Sequence, residues 1–170
     1  YRYVADFYDA LHQATAEAII FFAKVLKERY QGKIVGAFYG SYGCTDFFNS
    51  TTATATLPIL DCGAVDFLAA PGVYNNREPG GSVAQREMQD SFRLRGEMFV
   101  AEEDSRTHLE DTFYRDAMGL YDVRDSIVTL KRDFSRVLTD DIYAWWFDQH
   151  ETGGRYMHSE IYKLFKRQEE

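Results

Sequence analysis

Short apolar runs alternate with amphipathic stretches along this chain, and the alternation predicts an α/β fold with a parallel sheet. Near-continuous apolar runs bounded by Gly, Pro or charge are typical of strands that are buried on both faces. Four such runs cover residues 34–39, 65–70, 97–101 and 142–147. Because helical patterns separate them, we expect βα units joined by right-handed crossovers.

The helical patterns are strongest in two stretches. Residues 9–30 place apolar side chains at helical spacing and end just before Gly32, and residues 123–138 do the same after Asp122, the expected N-cap. Weaker patterns cover residues 82–95 and 158–166. Four βα units in 170 residues average about 40 residues each, near the value for an eight-unit barrel. The sequence shows no linker, so one domain over residues 1–170 is predicted.

Polar residues concentrate where the third apolar run ends, and the C-terminal ends of parallel strands are where sites are built. Strand alternation predicts that Glu102 and Asp104 share a face, whereas Glu103 points towards the helices. Arg106 would lie beside them and could hold a carboxylate ionised. The alternative is that these residues form only a salt-bridged loop.

The other strand ends also carry side chains that can hydrogen-bond or stack. For each of them, core packing or a structural role in a loop is the alternative to ligand binding, and alternation predicts that only one of two adjacent tryptophans faces the site. These candidates are Tyr39, Tyr74, Asn75, Trp145, Trp146 and Asp148.

Composition narrows the classes of partner. A net charge of −8, with acidic residues scattered along the chain, disfavours nucleic acid and anionic membranes. The apolar runs are far shorter than the ~20 residues of a membrane-spanning helix, so a soluble protein is expected. No signal peptide is visible, which leaves the choice between a cytoplasmic and a secreted location open. The histidines and cysteines lack metal-site spacing, and the glycines fit no phosphate loop, so no metal or cofactor is expected.

Four segments in order resemble the second half of a glycoside hydrolase (β/α)8 barrel. They are GAFYG at 36–40, DFLAAPGVYNNREPGG at 66–81, the Glu-x-Asp-x-Arg-Thr pattern that begins at Glu102, and YAWWFDQHETGGRY at 143–156. The chain looks most like the family 42 β-galactosidases and related retaining glycosidases, and the resemblance covers nearly its whole length. It implies a TIM-barrel fragment holding strands 5 to 8, with a short helix near residues 57–60.

The resemblance also implies roles for individual residues. The family's nucleophile ends strand 7, which corresponds to Glu102. Its acid/base glutamate ends strand 4, which would precede Tyr1, so no residue here matches it and the remainder of the barrel becomes an expected partner. A glutamate with an ordinary pKa near 4.3 suits a nucleophile, whereas the missing acid must hold a proton. The candidates at the other strand ends, together with Asp104 and Arg106, would bind a carbohydrate substrate.

Two other interpretations remain open from the sequence. The chain could be a carbohydrate-binding or structural domain that kept the barrel fold without its chemistry. It could also be a self-contained open α/β domain. A halved barrel exposes strand edges and apolar surface, so the half-barrel interpretation predicts self-association, whereas a stable monomer would favour the open domain.

Overall fold

The computed structural model describes residues 2–40, 53–86, 88–148 and 154–169. Within these ranges lie helices α1 (Arg2–Arg29), α2 (Thr56–Leu60), α3 (Gln89–Arg93), α4 (Thr112–Met118), α5 (Val123–Asp140) and α6 (Ser159–Gln168), and strands β1 (Gly36–Phe38), β2 (Phe67–Pro71), β3 (Met98–Glu103) and β4 (Tyr143–Trp146). No helix in these ranges is both long enough and apolar enough to cross a membrane.

The four strands form one parallel sheet in the order β1-β2-β3-β4. The register between the first two strands aligns Gly36 with Phe67 and Phe38 with Ala69. Each strand neighbours the next one along the chain, as expected when helices connect parallel strands. The predicted α/β class with a parallel sheet is therefore confirmed.

Several element bounds differ from the predictions. Helix α1 begins seven residues earlier than predicted, at Arg2, and its first turns are exposed. The pattern over 82–95 yields only α3 among the described residues, since Val73 N–H donates to the carbonyl of Ala84 and residues 82–86 are irregular. The short helix predicted near residues 57–60 is confirmed as α2. Most of the loop predicted between the first strand and α2, and part of the loop after β4, lie outside the described residues.

The chain divides into two compact units, and the first comprises Tyr1–Ala70 and Gln85–Ala101. Its core includes an edge-on pair formed by Phe92 and Phe99, whose ring centroids are 5.4 Å apart. Helix α1 packs against α2, and the imidazole Nδ1 of His12 accepts a 3.3 Å hydrogen bond from the backbone N–H of Thr54. Helix α1 therefore packs on the first unit through the side that carries His12.

The second unit comprises Pro71–Ala84 and Glu102–Glu170. Its core cluster lies between α5 and α6 and includes Leu130, Tyr156, Ile161 and Leu164. Asp122 accepts hydrogen bonds from the backbone N–H groups of Arg124 and Asp125, at 2.7 Å and 3.0 Å, which confirms the predicted N-cap of α5. The segment that follows β3 packs against α5, where the Ser105 hydroxyl donates a hydrogen bond to Asp133.

Candidate functional site

Burial alternates strictly along β3 and the residues that follow it. Phe99, Ala101 and Glu103 are buried, as are Ser105 and Thr107, whereas every residue between them is half-buried. The alternation extends past the last strand residue and therefore sets the direction of the polar side chains as well. Its consequence is that Glu102 and Asp104 lie on the more open face, and Glu103 lies on the face that packs against α5.

Asp104 is held by a buried arginine from the loop that follows β2. Arg77 Nη1 lies 2.6 Å from Asp104 Oδ1, and only 4% of the Arg77 side chain is exposed. The other nitrogens of the same guanidinium donate to the backbone carbonyls of Val73 (2.9 Å) and Gly72 (2.7 Å). Because the whole fork is engaged, Arg77 fixes both the loop and the carboxylate.

A second arginine approaches from the segment that follows β4. Arg155 Nη1 donates to the backbone carbonyl of Asp104 at 2.5 Å, and its Nε lies 3.2 Å from Glu110 Oε1. The backbone N–H of Arg155 donates in turn to Asp148 Oδ1 at 2.7 Å. We refer to Arg77, Glu102, Asp104 and Arg155 as the strand-end cluster.

The strand-end cluster changes the titration of Glu102. Partial burial raises the pKa of Glu102 and the neighbouring carboxylate of Asp104 raises it further, while Arg77 and Arg155 act in the opposite direction. The pKa of Glu102 is therefore higher than the ordinary value expected from the sequence. Glu102 binds a proton more readily than an ordinary glutamate does, and the two arginines limit that shift.

Of the two tryptophans of β4, Trp146 packs on the side of the core cluster. Trp146 stacks on Phe165, with ring centroids 4.6 Å apart, and belongs to the packing around the core cluster. The backbone N–H of Phe147 donates to the carbonyl of Glu103 at 2.9 Å, and this bond pairs Trp146 with Glu103. From this register, strand alternation predicts that Trp145, one residue earlier on both strands, lies on the same face as Glu102.

The remaining candidates occupy varied surroundings. Arg106 pairs with Glu110 at 3.6 Å and covers the ring of Tyr114, so the guanidinium bound to Asp104 is that of Arg77 and not that of Arg106. Tyr74 is half-exposed, and the guanidinium of Arg77 lies 4.3 Å from its ring centroid. The other placements are these: Asn75 is exposed, Asp148 is exposed, and the buried Tyr39, in the first unit, accepts a 2.8 Å hydrogen bond from Ala55 N–H.

Sequence reasoning missed the two arginines of the strand-end cluster. Arg77 and Arg155 both lie in irregular segments, where no periodicity indicates which side chains are buried. Their only sequence signal is position, since each follows a strand end within a segment rich in Gly. An arginine in a loop of this kind is as good a candidate for pairing with the acidic residues as an arginine close to them in sequence.

Glu103 is a buried acid on the opposite face of β3. Burial, with the nearby carboxylate of Asp133, raises the pKa of Glu103 to about 7, and the charges of Arg77 and Arg132 oppose this rise. Asp133 itself accepts a 2.6 Å hydrogen bond from the hydroxyl of Ser105. Glu103 therefore changes charge near neutral pH in the interior of the second unit.

This buried acid predicts a pH dependence of stability. The ordinary pKa of 4.5 applies to the unfolded chain, so the stabilisation is complete below that pH and is lost as pH rises through about 7. Between pH 5 and 8 we expect the free energy of unfolding in urea to fall by up to about 3 kcal/mol from this group. Glu103→Gln should flatten the profile, because the amide stays neutral. An equally steep profile in that variant would exclude Glu103 as the titrating group.

Comparisons of the chain with protein-family models, with curated proteins and with solved structures return no match. Within the described ranges, no three His, Cys, Asp or Glu side chains are grouped as a metal site requires. The function must therefore be inferred from the chemistry of the strand-end cluster and from the resemblance of the sequence motifs.

Proposed function

We propose that this chain is the C-terminal half of the TIM-barrel catalytic domain of a retaining glycosidase that acts on β-linked sugars, with β-galactosides as the preferred class. The observation that carries the proposal is the position of Glu102. Its half-buried side chain lies at the end of a parallel strand and shares a face with Asp104, and the strand register predicts that Trp145 lies on that face as well. Four consecutive parallel strands in sequence order are consistent with a barrel segment.

In the proposed reaction a carboxylate oxygen of Glu102 attacks the anomeric carbon of the sugar. The glycosidic C–O bond breaks, and the leaving oxygen takes a proton from an acid supplied by the remainder of the barrel. Water then attacks the anomeric carbon of the glycosyl ester, releases Glu102 and returns its proton to the acid/base group. Retention of configuration follows from the two displacements.

The neighbouring residues have supporting roles in this proposal. Arg77 and Arg155 counteract the proton affinity that Asp104 and burial give to Glu102, so the nucleophile is ionised over a wider pH range. The indole of Trp145 provides an apolar platform for a sugar ring, as aromatic side chains do in ligand sites. Tyr74, Asn75 and Asp148 are the exposed groups placed to bind hydroxyls.

Covalent labelling tests this assignment directly. A 2-deoxy-2-fluoro-β-galactoside with a dinitrophenolate leaving group needs no acid catalyst to depart, so labelling depends on the nucleophile and on sugar binding. We expect one glycosyl ester on the full-length protein, located by fragmentation of the tryptic peptide 96–106. The expected position is Glu102, with Glu103 unmodified.

The control variants separate catalysis from binding. Glu103→Gln should be labelled like the parent protein, and Glu102→Gln should not be labelled at all. The half-exposed ring of Tyr74 above a fixed arginine also suits a protein that binds sugars without cleaving them. Saturable galactoside binding without any label would favour that second function, and a label on another carboxylate would overturn the role of Glu102.

A further inference from the structure

Helix α1 carries a continuous apolar stripe along one side. Its members follow one another at spacings of three and four residues, the 3.5-residue repeat of a coiled-coil seam. The stripe consists of Val4, Phe7, Leu11, Ala14, Ala18, Phe21 and Val25. It extends over nearly the whole 28-residue helix.

Six of the seven stripe residues are exposed, and Leu11 is half-buried. The buried residues of α1 are His12, Ala16 and Ala23, which helical periodicity places on the opposite side of the helix. Phe7 and Phe21 are 62% and 61% exposed. Single exposed apolar residues are ordinary, but a continuous seam with two exposed phenylalanines is the mark of a binding surface.

We propose that α1 is a dimerisation helix that pairs in antiparallel orientation with α1 of a second copy of this chain. In the register where paired residue numbers sum to 25, Phe7 faces the partner's Ala18 and Leu11 faces the partner's Ala14. Val4 faces the partner's Phe21 in the same register. Every layer then combines a larger side chain with a smaller one, which is how facing helices fill space.

The parallel orientation is less favourable on two grounds. In the parallel orientation Phe7 would pack against the partner's Phe7, and Ala14 against the partner's Ala14. The bulky phenylalanine layers would then hold the alanine layers apart. The parallel orientation also brings Lys24 of one helix towards Arg29 of the other, a like-charge contact at the flanks of the seam. In the antiparallel register Lys24 instead meets the partner's Tyr3, whose ring attracts a cation.

The molar mass in solution tests this pairing. Sedimentation equilibrium of the 170-residue chain should give a dimer at micromolar concentration. The double variant Phe7→Glu/Phe21→Glu should weaken the dimer by at least about 100-fold, because the largest apolar side chains of the seam become charged in both copies. Phe113→Glu is the matched control, since that residue is 74% exposed and lies on α4 of the second unit. Unchanged circular dichroism would show that all variants remain folded.

Disulfide trapping tests the orientation. In a background that carries Cys44→Ser and Cys62→Ser, variants Leu11→Cys and Ala14→Cys are oxidised separately and as a mixture. The antiparallel pair predicts a disulfide-linked dimer in the mixture and little in either variant alone. Efficient self-linking of Ala14→Cys would overturn the orientation. A dimer unaffected by the double variant would overturn the pairing and leave the role of Glu102 untouched. A monomeric parent chain would overturn the pairing and also count against the half-barrel interpretation, whose nucleophile is tested separately by labelling of Glu102.

Discussion

A Glu102→Gln enzyme is expected to hydrolyse aryl β-galactosides at least about a thousand-fold more slowly than the parent, with the loss in kcat. The amide has the shape of the acid but cannot form the glycosyl ester. Because the Glu102 side chain is only half-buried, the variant should fold normally. Steady-state kinetics on the full-length protein, with circular dichroism as a check on folding, measure the effect.

A second replacement at the same position distinguishes a nucleophile from a residue that merely shapes the site. Azide should restore turnover to a Glu102→Ala enzyme and give the α-galactosyl azide, because a small anion fills the space left by the carboxylate and attacks once. Glu103→Gln serves as the matched control and should keep the parent kcat, since its carboxylate lies on the other face of β3. Undiminished hydrolysis by Glu102→Gln would exclude the proposed mechanism.

Replacing Arg77 by Met is expected to cause the largest loss of stability, about 3–5 kcal/mol. The substitution removes the guanidinium that contacts Asp104 and two loop carbonyls, and leaves a carboxylate that is 13% exposed without that cation. Urea unfolding followed by circular dichroism measures the change. The double variant Arg77→Met/Asp104→Asn should recover part of the loss, because the uncompensated charge is gone.

Arg93→Met is the matched control for this measurement. Arg93 pairs with Asp90 on α3 at 2.8 Å, but both side chains are more than half exposed. An exposed pair of this kind contributes at most about 0.5 kcal/mol, so its removal should leave the unfolding curve almost unchanged. Equal losses from Arg77→Met and Arg93→Met would contradict the structural role assigned to Arg77.

Much of the fold could be predicted because periodicity records burial. The apolar runs identified all four strands, and the helical repeat together with Asp122 located the start of α5. The expectation that the strands are buried on both faces is wrong for the two outer strands, since Phe38 of β1 is 59% exposed and Tyr143 of β4 is 60% exposed. The same reasoning assigned opposite faces to Glu102 and Glu103, because side-chain direction along a strand alternates whatever surrounds it. These features are local consequences of backbone geometry and need no knowledge of distant contacts.

The side-chain contacts of the strand-end cluster could not be predicted from the periodicity of the sequence. Arg77 and Asp104 are 27 positions apart, and Arg155 reaches Asp104 from 51 positions away, so only the folded chain brings them together. Arg106, which is close in sequence, pairs with Glu110. The pKa of Glu102 departs from its ordinary value through burial and the neighbouring Asp104, and the opposing charges of Arg77 and Arg155 come from distant parts of the sequence.

The strict alternation along β3 makes the site sensitive to a change in length. A single residue inserted between Phe99 and Glu102 would exchange the two faces of everything that follows. Glu103 would then take the open face and Asp104 the packed one, where its pairing with Arg77 could not be kept. Natural variation in this strand should therefore be confined to substitutions, and any tolerated insertion should come in pairs of residues.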